Sequence, residues 1–162
     1  MKKLRNILDR IMRVVIATIL LAITLLTVWQ VVTRYFLGHP STWSEEVAAY
    51  LFVWVTVLGA AYVFGLRDHM NIPILSERVN PQVQRILAVI SEIITLIFAL
   101  TVMIYGGVKI TDLTMGQMAS SIPVAMGYFY SAIPISGVFI AVYNVLNLYD
   151  LFTSNTIEEE VK

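Results

Sequence analysis

Val14–Thr33 reads VVIATILLAITLLTVWQVVT, and Val47–Leu66 reads VAAYLFVWVTVLGAAYVFGL; each runs twenty residues without a charge. That length decides the class, because about 20 helical residues rising ~1.5 Å each cross the roughly 30 Å hydrocarbon layer of a bilayer. Ile86–Val108 is a third such stretch, interrupted only by Glu92. The fourth is uncharged from Leu113 to Tyr149 but divided by Pro123, Gly127 and Pro134. There Thr114–Gly127 reads as a re-entrant or interfacial approach and Tyr128–Leu148 as the span. These patterns predict an all-α integral membrane protein, one membrane domain over 1–162 with four transmembrane helices. The spans fall at 14–33, 47–66, 86–108 and 128–148. External loops then occupy 34–46 and 109–127, a cytoplasmic loop 67–85, and an acidic tail 150–162.

Charge sets the orientation. With the N-terminus cytoplasmic, nine Lys and Arg lie inside (Lys2, Lys3, Arg5, Arg10, Arg13, Arg67, Arg78, Arg85, Lys162) and two outside, Arg34 and Lys109. All connections are short enough for the positive-inside rule, so both termini are expected in the cytoplasm. The basic segment Met1–Arg13 resembles a secretory leader. The apolar run behind it is too long, and no small-x-small site follows, so an uncleaved first span is expected. With a net charge of zero the chain has no electrostatic footprint for nucleic acid. Without cysteine it has no disulfide or thiol chemistry.

Helix boundaries carry signals of their own. Gly38 and Pro40 stop the first helix. Thr42 followed by Glu45 matches a capping box, which starts the second near Trp43, outside the membrane. Asn80-Pro81 marks the entry to the third. An amphipathic turn at Ile72–Val79 is a further expectation. Trp29, Tyr35, Phe36 and Trp43 form an aromatic belt at one interface, and Tyr143, Tyr149 and Phe152 at the other. Phe52 and Trp54 lie deeper, against lipid or another helix. The pairs Ala61/Gly65, Ala132/Ser136 and Gly137/Ala141 permit close helix contact.

Few residues could carry chemistry. His39 and His69 stand at opposite ends of the second helix and cannot share a metal or haem, so no cofactor and no enzyme activity are expected. Glu92 is the one ionisable residue well inside a span, where a carboxylate costs several kcal/mol unless satisfied. It reads as paired at an interface to another subunit or to lipid, as satisfied within the structure, or as an ion-coupling acid. Glu45 and Glu46 sit at adjacent helical positions, too divergent for a catalytic pair. Helix capping takes one of them, and the other, with Arg34 and Trp43, is available to another protein. A transporter core would show broken helices, inverted repeats and several mid-membrane polar groups. This chain shows one acid and no repeat, and it reads as a scaffold.

From Arg34 to Ile72 the pattern becomes specific. Arg34-Tyr35, Pro40, Trp43-Ser44-Glu45-Glu46, Phe52, Trp54, Gly59-Ala60, and Arg67 with His69-Met70 resemble the small membrane subunit (DctQ-type, or Q component) of tripartite ATP-independent periplasmic (TRAP) transporters. The resemblance implies a bacterial inner-membrane protein with two protein partners. One is a large multi-span TRAP subunit that carries substrate and sodium; the other is a periplasmic substrate-binding protein. Substrates of the family include C4-dicarboxylates, sialic acid and sugar acids. Glu92, Trp43, Glu45, Glu46 and Trp54 are the candidates for the subunit or lipid interface. The resemblance, with the exposed aromatic and charged residues there, implies that Arg34, His39, Trp43, Lys109 and Asp112, with the Thr114–Ser121 connection, border the docking surface. The rival expectation is a small self-sufficient oligomeric carrier or channel that uses Glu92.

Overall fold

The computed structural model describes residues 2–66 and 81–160. The expectations for Arg67, His69, the 72–79 turn and the Asn80 cap lie outside the described residues. The chain is helical almost throughout: α1 (Lys2–Tyr35), α2 (Thr42–Leu66), α3 (Pro81–Phe98), a π-helical segment (Ala99–Gly106), α4 (Gly107–Thr114), a single turn α5 (Gly127–Tyr130) and α6 (Ala132–Glu160). Four of these stretches are long and apolar enough to cross a membrane: Lys3–Tyr35, Thr42–Leu66, Ile86–Thr114 and Gly127–Thr153.

Every helix overruns its expected span, for readable reasons. α1 has 34 residues, about 50 Å at 1.5 Å per residue, so its charged first turns project beyond the hydrocarbon layer. Nothing in Lys2–Arg13 breaks a helix. α6 continues to Glu160 where an acidic tail was expected, because no glycine or proline follows Leu148. The break between α5 and α6 at Ser131 sits where Pro134 withholds an N–H from the carbonyl four residues back. From there Pro134 occupies the first turn of α6, where that loss is harmless.

α1 packs against α2, α2 against α6, and α6 against the third span. The fourth span is the most enclosed, with 39% of its most apolar stretch buried, against 6% for the first and 11% for the third. α2 and α6 are therefore the inner pair, and α1 and the third span are flanks that leave broad apolar surface free. The buried core is small: Met12, Leu58, Ala61, Ala99, Ile140 and Tyr143, with Trp54, Tyr62 and Met103 partly buried against it. Small residues make this packing close. Ala61, Gly65, Ala132, Ser136 and Gly137 are all buried.

The third span holds a feature that its apolar run conceals. Eight residues, Ala99–Gly106, wind as a π-helix, and the Gly107 N–H still reaches Val102 O, five residues back. The widened turn lies against α6. A Cβ at Gly137 would stand 2.8 Å from Met103 Cβ, and one at Gly107 would stand 2.8 Å from Pro134 Cδ. Two glycines on facing helices thus bring the backbones together along this seam. π-turns inside α-helices are rare and concentrate where a helix is shaped for contact or function.

Candidate functional site

At one end of the bundle α1 closes on a left-handed glycine, Gly38, with φ +69°. The Phe36 N–H donates to Val32 O and the His39 N–H to Thr33 O, which satisfies the last carbonyls of the helix and reverses the chain. The helix after this turn begins one residue earlier than the Thr42–Glu45 spacing implies. Ser41 stands at the cap, and its carbonyl accepts the Glu45 N–H at 3.3 Å and the Ser44 hydroxyl at 2.9 Å. Gln30 Nε2 donates to Ser44 O at 3.0 Å and braces α1 against α2. Between the two helices a half-open cleft of about 210 Å³ remains, lined by Thr27, Gln30, Val31, Arg34, Tyr35, Pro40, Ser41 and Glu45.

The connection after α4 folds into a tight hairpin across the same end. Met118 pairs with Ala125 in an antiparallel bridge. The Ala119 N–H donates to Val124 O at 2.9 Å and the Met126 N–H to Gln117 O at 2.8 Å. The tip is held by a single side chain. Glu46 Oε1 accepts the Ser120 N–H at 2.9 Å, and Oε2 accepts the Ser121 N–H at 2.6 Å. Tyr50, one turn below, donates its hydroxyl to Glu46 Oε1 at 3.0 Å. Its ring stacks on Phe129 with centroids 3.7 Å apart and planes 10° from parallel. An ionised carboxylate holding two adjacent backbone N–H groups makes strong, directed bonds. The N-terminus of α2, the hairpin and α5 are thereby locked into one surface.

The opposite end carries a second tie. Arg5 Nη1 pairs with Asp150 Oδ2 at 3.1 Å, and Nη2 donates to Gly65 O at 2.6 Å. The guanidinium thus joins α1 to α6 while covering a carbonyl of the last turn of α2, the negative end of that helix. One turn on, the Tyr143 hydroxyl donates to Asp9 Oδ1 at 2.8 Å. The Tyr143 ring covers Gly65 so closely that a Cβ there would fall 2.6 Å from it. These contacts put the first and last helices' outer ends on the same side of the bundle. Arg5→Gln should lower the melting temperature in detergent, by an amount equivalent to about 1–2 kcal/mol after allowance for its partly exposed partner. The deficit should shrink as salt is raised in the melting series.

Residues 23–154 match the family described as tripartite ATP-independent periplasmic transporters, DctQ component. The chain belongs to the DctQ family. Relatives include the sialic acid TRAP transporter small permease protein SiaQ of Vibrio cholerae serotype O1. It is 25% identical over 151 residues, covering 93% of this chain and 87% of that protein. A putative TRAP transporter small permease protein of Haemophilus influenzae is 28% identical over 135 residues, 82% of this chain and 83% of its own. A second from the same organism is 25% identical over 150 residues, covering 91% and 90%. This DctQ chain is therefore a transporter component of the inner membrane rather than an enzyme.

Among the residues nominated from sequence, the DctQ fold gathers Arg34, His39, Trp43, Glu45, Glu46, Lys109 and Asp112 at the hairpin end. Trp43 is 47% exposed, and Lys109 Nζ lies over the Tyr105 ring, 4.4 Å from its centroid. Glu46, nominated for a subunit or lipid interface, spends its carboxylate inside the chain. Trp54 rests partly buried against the core. Glu92, expected to be paired at an interface, satisfied within the structure or used for ion coupling, is 2% exposed and turned into the chain's own interior. Its helix faces α6, which presents the buried Asn144 and Asn147, so the polar residues collect on the inner seam and the apolar ones face outward. Among the described residues, no group of three His, Asp or Glu side chains is placed to hold a metal ion. Sequence reading missed Arg5, Asp9, Tyr143 and Asp150 as ties. The Arg5/Asp9 spacing of four, which puts both on one face of α1, was the available signal.

Proposed function

We propose that this DctQ chain is the non-transporting scaffold subunit of a sodium-coupled TRAP transporter for an organic acid. In this reading it braces the large membrane subunit and helps to present a docking surface to the periplasmic binding protein. The observation that carries the reading is the division of its surface. Arg5, Asp9, Tyr143 and Asp150 at one end and Glu46 and Tyr50 at the other tie the helices to one another within the chain, whereas the flanks formed by α1 and the third span are long and apolar. A rigid wedge of this kind suits a brace. The nine-to-two distribution of Lys and Arg supports a periplasmic hairpin end and cytoplasmic termini, with Arg34, His39, Trp43, Lys109 and Asp112 bordering the docking face. Sialic acid, named for the Vibrio relative, is one candidate substrate, beside C4-dicarboxylates and sugar acids.

The test is co-purification with the large subunit from a membrane extract, joined to cysteine accessibility in spheroplasts. An impermeant thiol reagent should label a cysteine at His39 and spare one at Lys3; the reverse pattern would invert the proposed surface. The rival carrier reading needs Glu92 to line a path between copies, and its burial within one chain weighs against that. Glu92→Gln should therefore leave sodium-driven uptake by the assembled complex within about twofold of wild type, given that neutral isosteres leave packing intact. Loss of uptake with assembly and melting temperature unchanged would favour ion coupling through Glu92.

A further inference from the structure

The cleft between α1 and α2 holds two opposite charges that do not meet. Arg34 stands on its α1 wall and Glu45 on its α2 wall. Both are exposed, and neither forms an ion pair with a described residue. Arg and Glu facing one small cavity without closing on each other are complementary to a group with an anion and a cation a short linker apart. We propose that this cleft binds the headgroup of a zwitterionic phospholipid bearing a primary ammonium, phosphatidylethanolamine, with the phosphate on Arg34 and the ammonium on Glu45.

Position, size and rigidity each support this occupant. Trp29, Tyr35, Phe36 and Trp43, all between 46% and 82% exposed, cluster at this end of the bundle. Such aromatic belts sit at headgroup level. Thr27 lies seven residues before Arg34, about 10 Å deeper along the helix, so the cleft runs from the headgroup layer toward the acyl chains. The Thr27 hydroxyl is satisfied by Ile23 O at 2.8 Å and the Gln30 amide by Ser44 O, which leaves the Arg34 guanidinium as the charged donor of the site, beside a Ser41 hydroxyl that has no hydrogen-bond partner among the described residues. Its volume of about 210 Å³ falls below the roughly 300–1,000 Å³ that takes drug-sized ligands, and it suits a headgroup. The walls are fixed before any lipid arrives. The Gly38 turn, Pro40 and the Gln30–Ser44 bond hold them apart, and a preformed site spends little on ordering. Arg presents a planar fork matched to phosphate oxygens. An anionic glycerol headgroup would leave Glu45 facing no cation, so the pair discriminates between lipids. The inference is independent of which end of the bundle faces the periplasm and of the transport role proposed above.

The test is lipid retention by the full chain, weighed with its bound lipid by native mass spectrometry after exchange into equal mixtures of phosphatidylethanolamine and phosphatidylglycerol. The wild type should retain the ethanolamine lipid about fivefold over the glycerol lipid, the range of a partly exposed charge pair. Arg34→Gln should abolish retention of both, and Arg34→Lys should restore it. Glu45→Gln should bring the ratio to one or reverse it, because only the cation remains to choose. Unchanged ratios in Arg34→Gln and Glu45→Gln would overturn the proposal. Displacement of the lipid by free phosphoethanolamine at equal concentration would also overturn it, in favour of a soluble ligand. So would disappearance of the preference when the wild type is purified with its large subunit, since the cleft would then receive protein.

Discussion

An alanine at Gly107 should destabilise the protein by about 1–3 kcal/mol, the range for overpacking a close contact. Helix propensity alone favours that substitution by about 1 kcal/mol, so the sign is decided by space. The added Cβ would lie 2.8 Å from Pro134 Cδ and 3.0 Å from Pro134 N, and neither a proline ring nor the backbone can step aside as a flexible side chain would. The contact could reopen only if the third span moved off α6, which would disturb the π-helical turn against Gly137 as well. Gly59 is the internal control. Nothing lies within 4 Å of a Cβ there, so Gly59→Ala should be neutral or slightly stabilising. Melting temperatures of both variants in the same detergent check the pair. Equal effects would remove the case for a tight seam.

Loss of the Glu46 carboxylate should release the hairpin. In Glu46→Ala the Ser120 and Ser121 N–H groups and the Tyr50 hydroxyl lose their common acceptor, and the loop parts from α2 while the spans keep their own packing. On the docking role proposed for this surface, uptake at limiting binding protein should fall about tenfold and recover as the binding protein is raised, the behaviour of weakened association. Glu46→Gln keeps one acceptor oxygen and should fall between the two. Amide hydrogen exchange at 119–126 gives a direct readout of the loop, and it should rise in the alanine variant while exchange in the α2 interior stays slow. Unchanged exchange at the hairpin would mean that its own cross-bonds, and not Glu46, hold it.

The two clearest spans were legible because the bilayer imposes a length that any twenty-residue apolar run satisfies. Their ends were less so. Lys2–Arg13 reads as a basic flank ahead of an uncleaved span at 14–33, yet it is itself helix, since Arg5 and Asp9 find partners on α2 and α6 that no local pattern reveals. The capping reading of Thr42 and Glu45 followed a sound local rule. It misplaced the cap by one residue, because the helix starts from the Ser41 backbone carbonyl and not from a side-chain oxygen, and it could not see that Glu46 holds backbone 74 residues downstream. The π-helix is invisible to periodicity in a run where almost every residue is apolar. Its trace in sequence is Gly107, a small residue where two helices must meet. Glu92 was legible as costly but not in direction. Outward and inward faces of this helix differ by a few polar residues on α6, and those declare themselves only once Asn144 and Asn147 are seen to be buried.

Reconstitution in proteoliposomes addresses the scaffold role most directly. The purified chain, the large subunit and the binding protein are each tested alone and together, with an inward sodium gradient and a radiolabelled organic acid. Uptake should appear only when this chain, the large subunit and the binding protein are all present, and the chain alone should give the background of empty vesicles. Sodium-driven uptake by the chain alone would contradict the account.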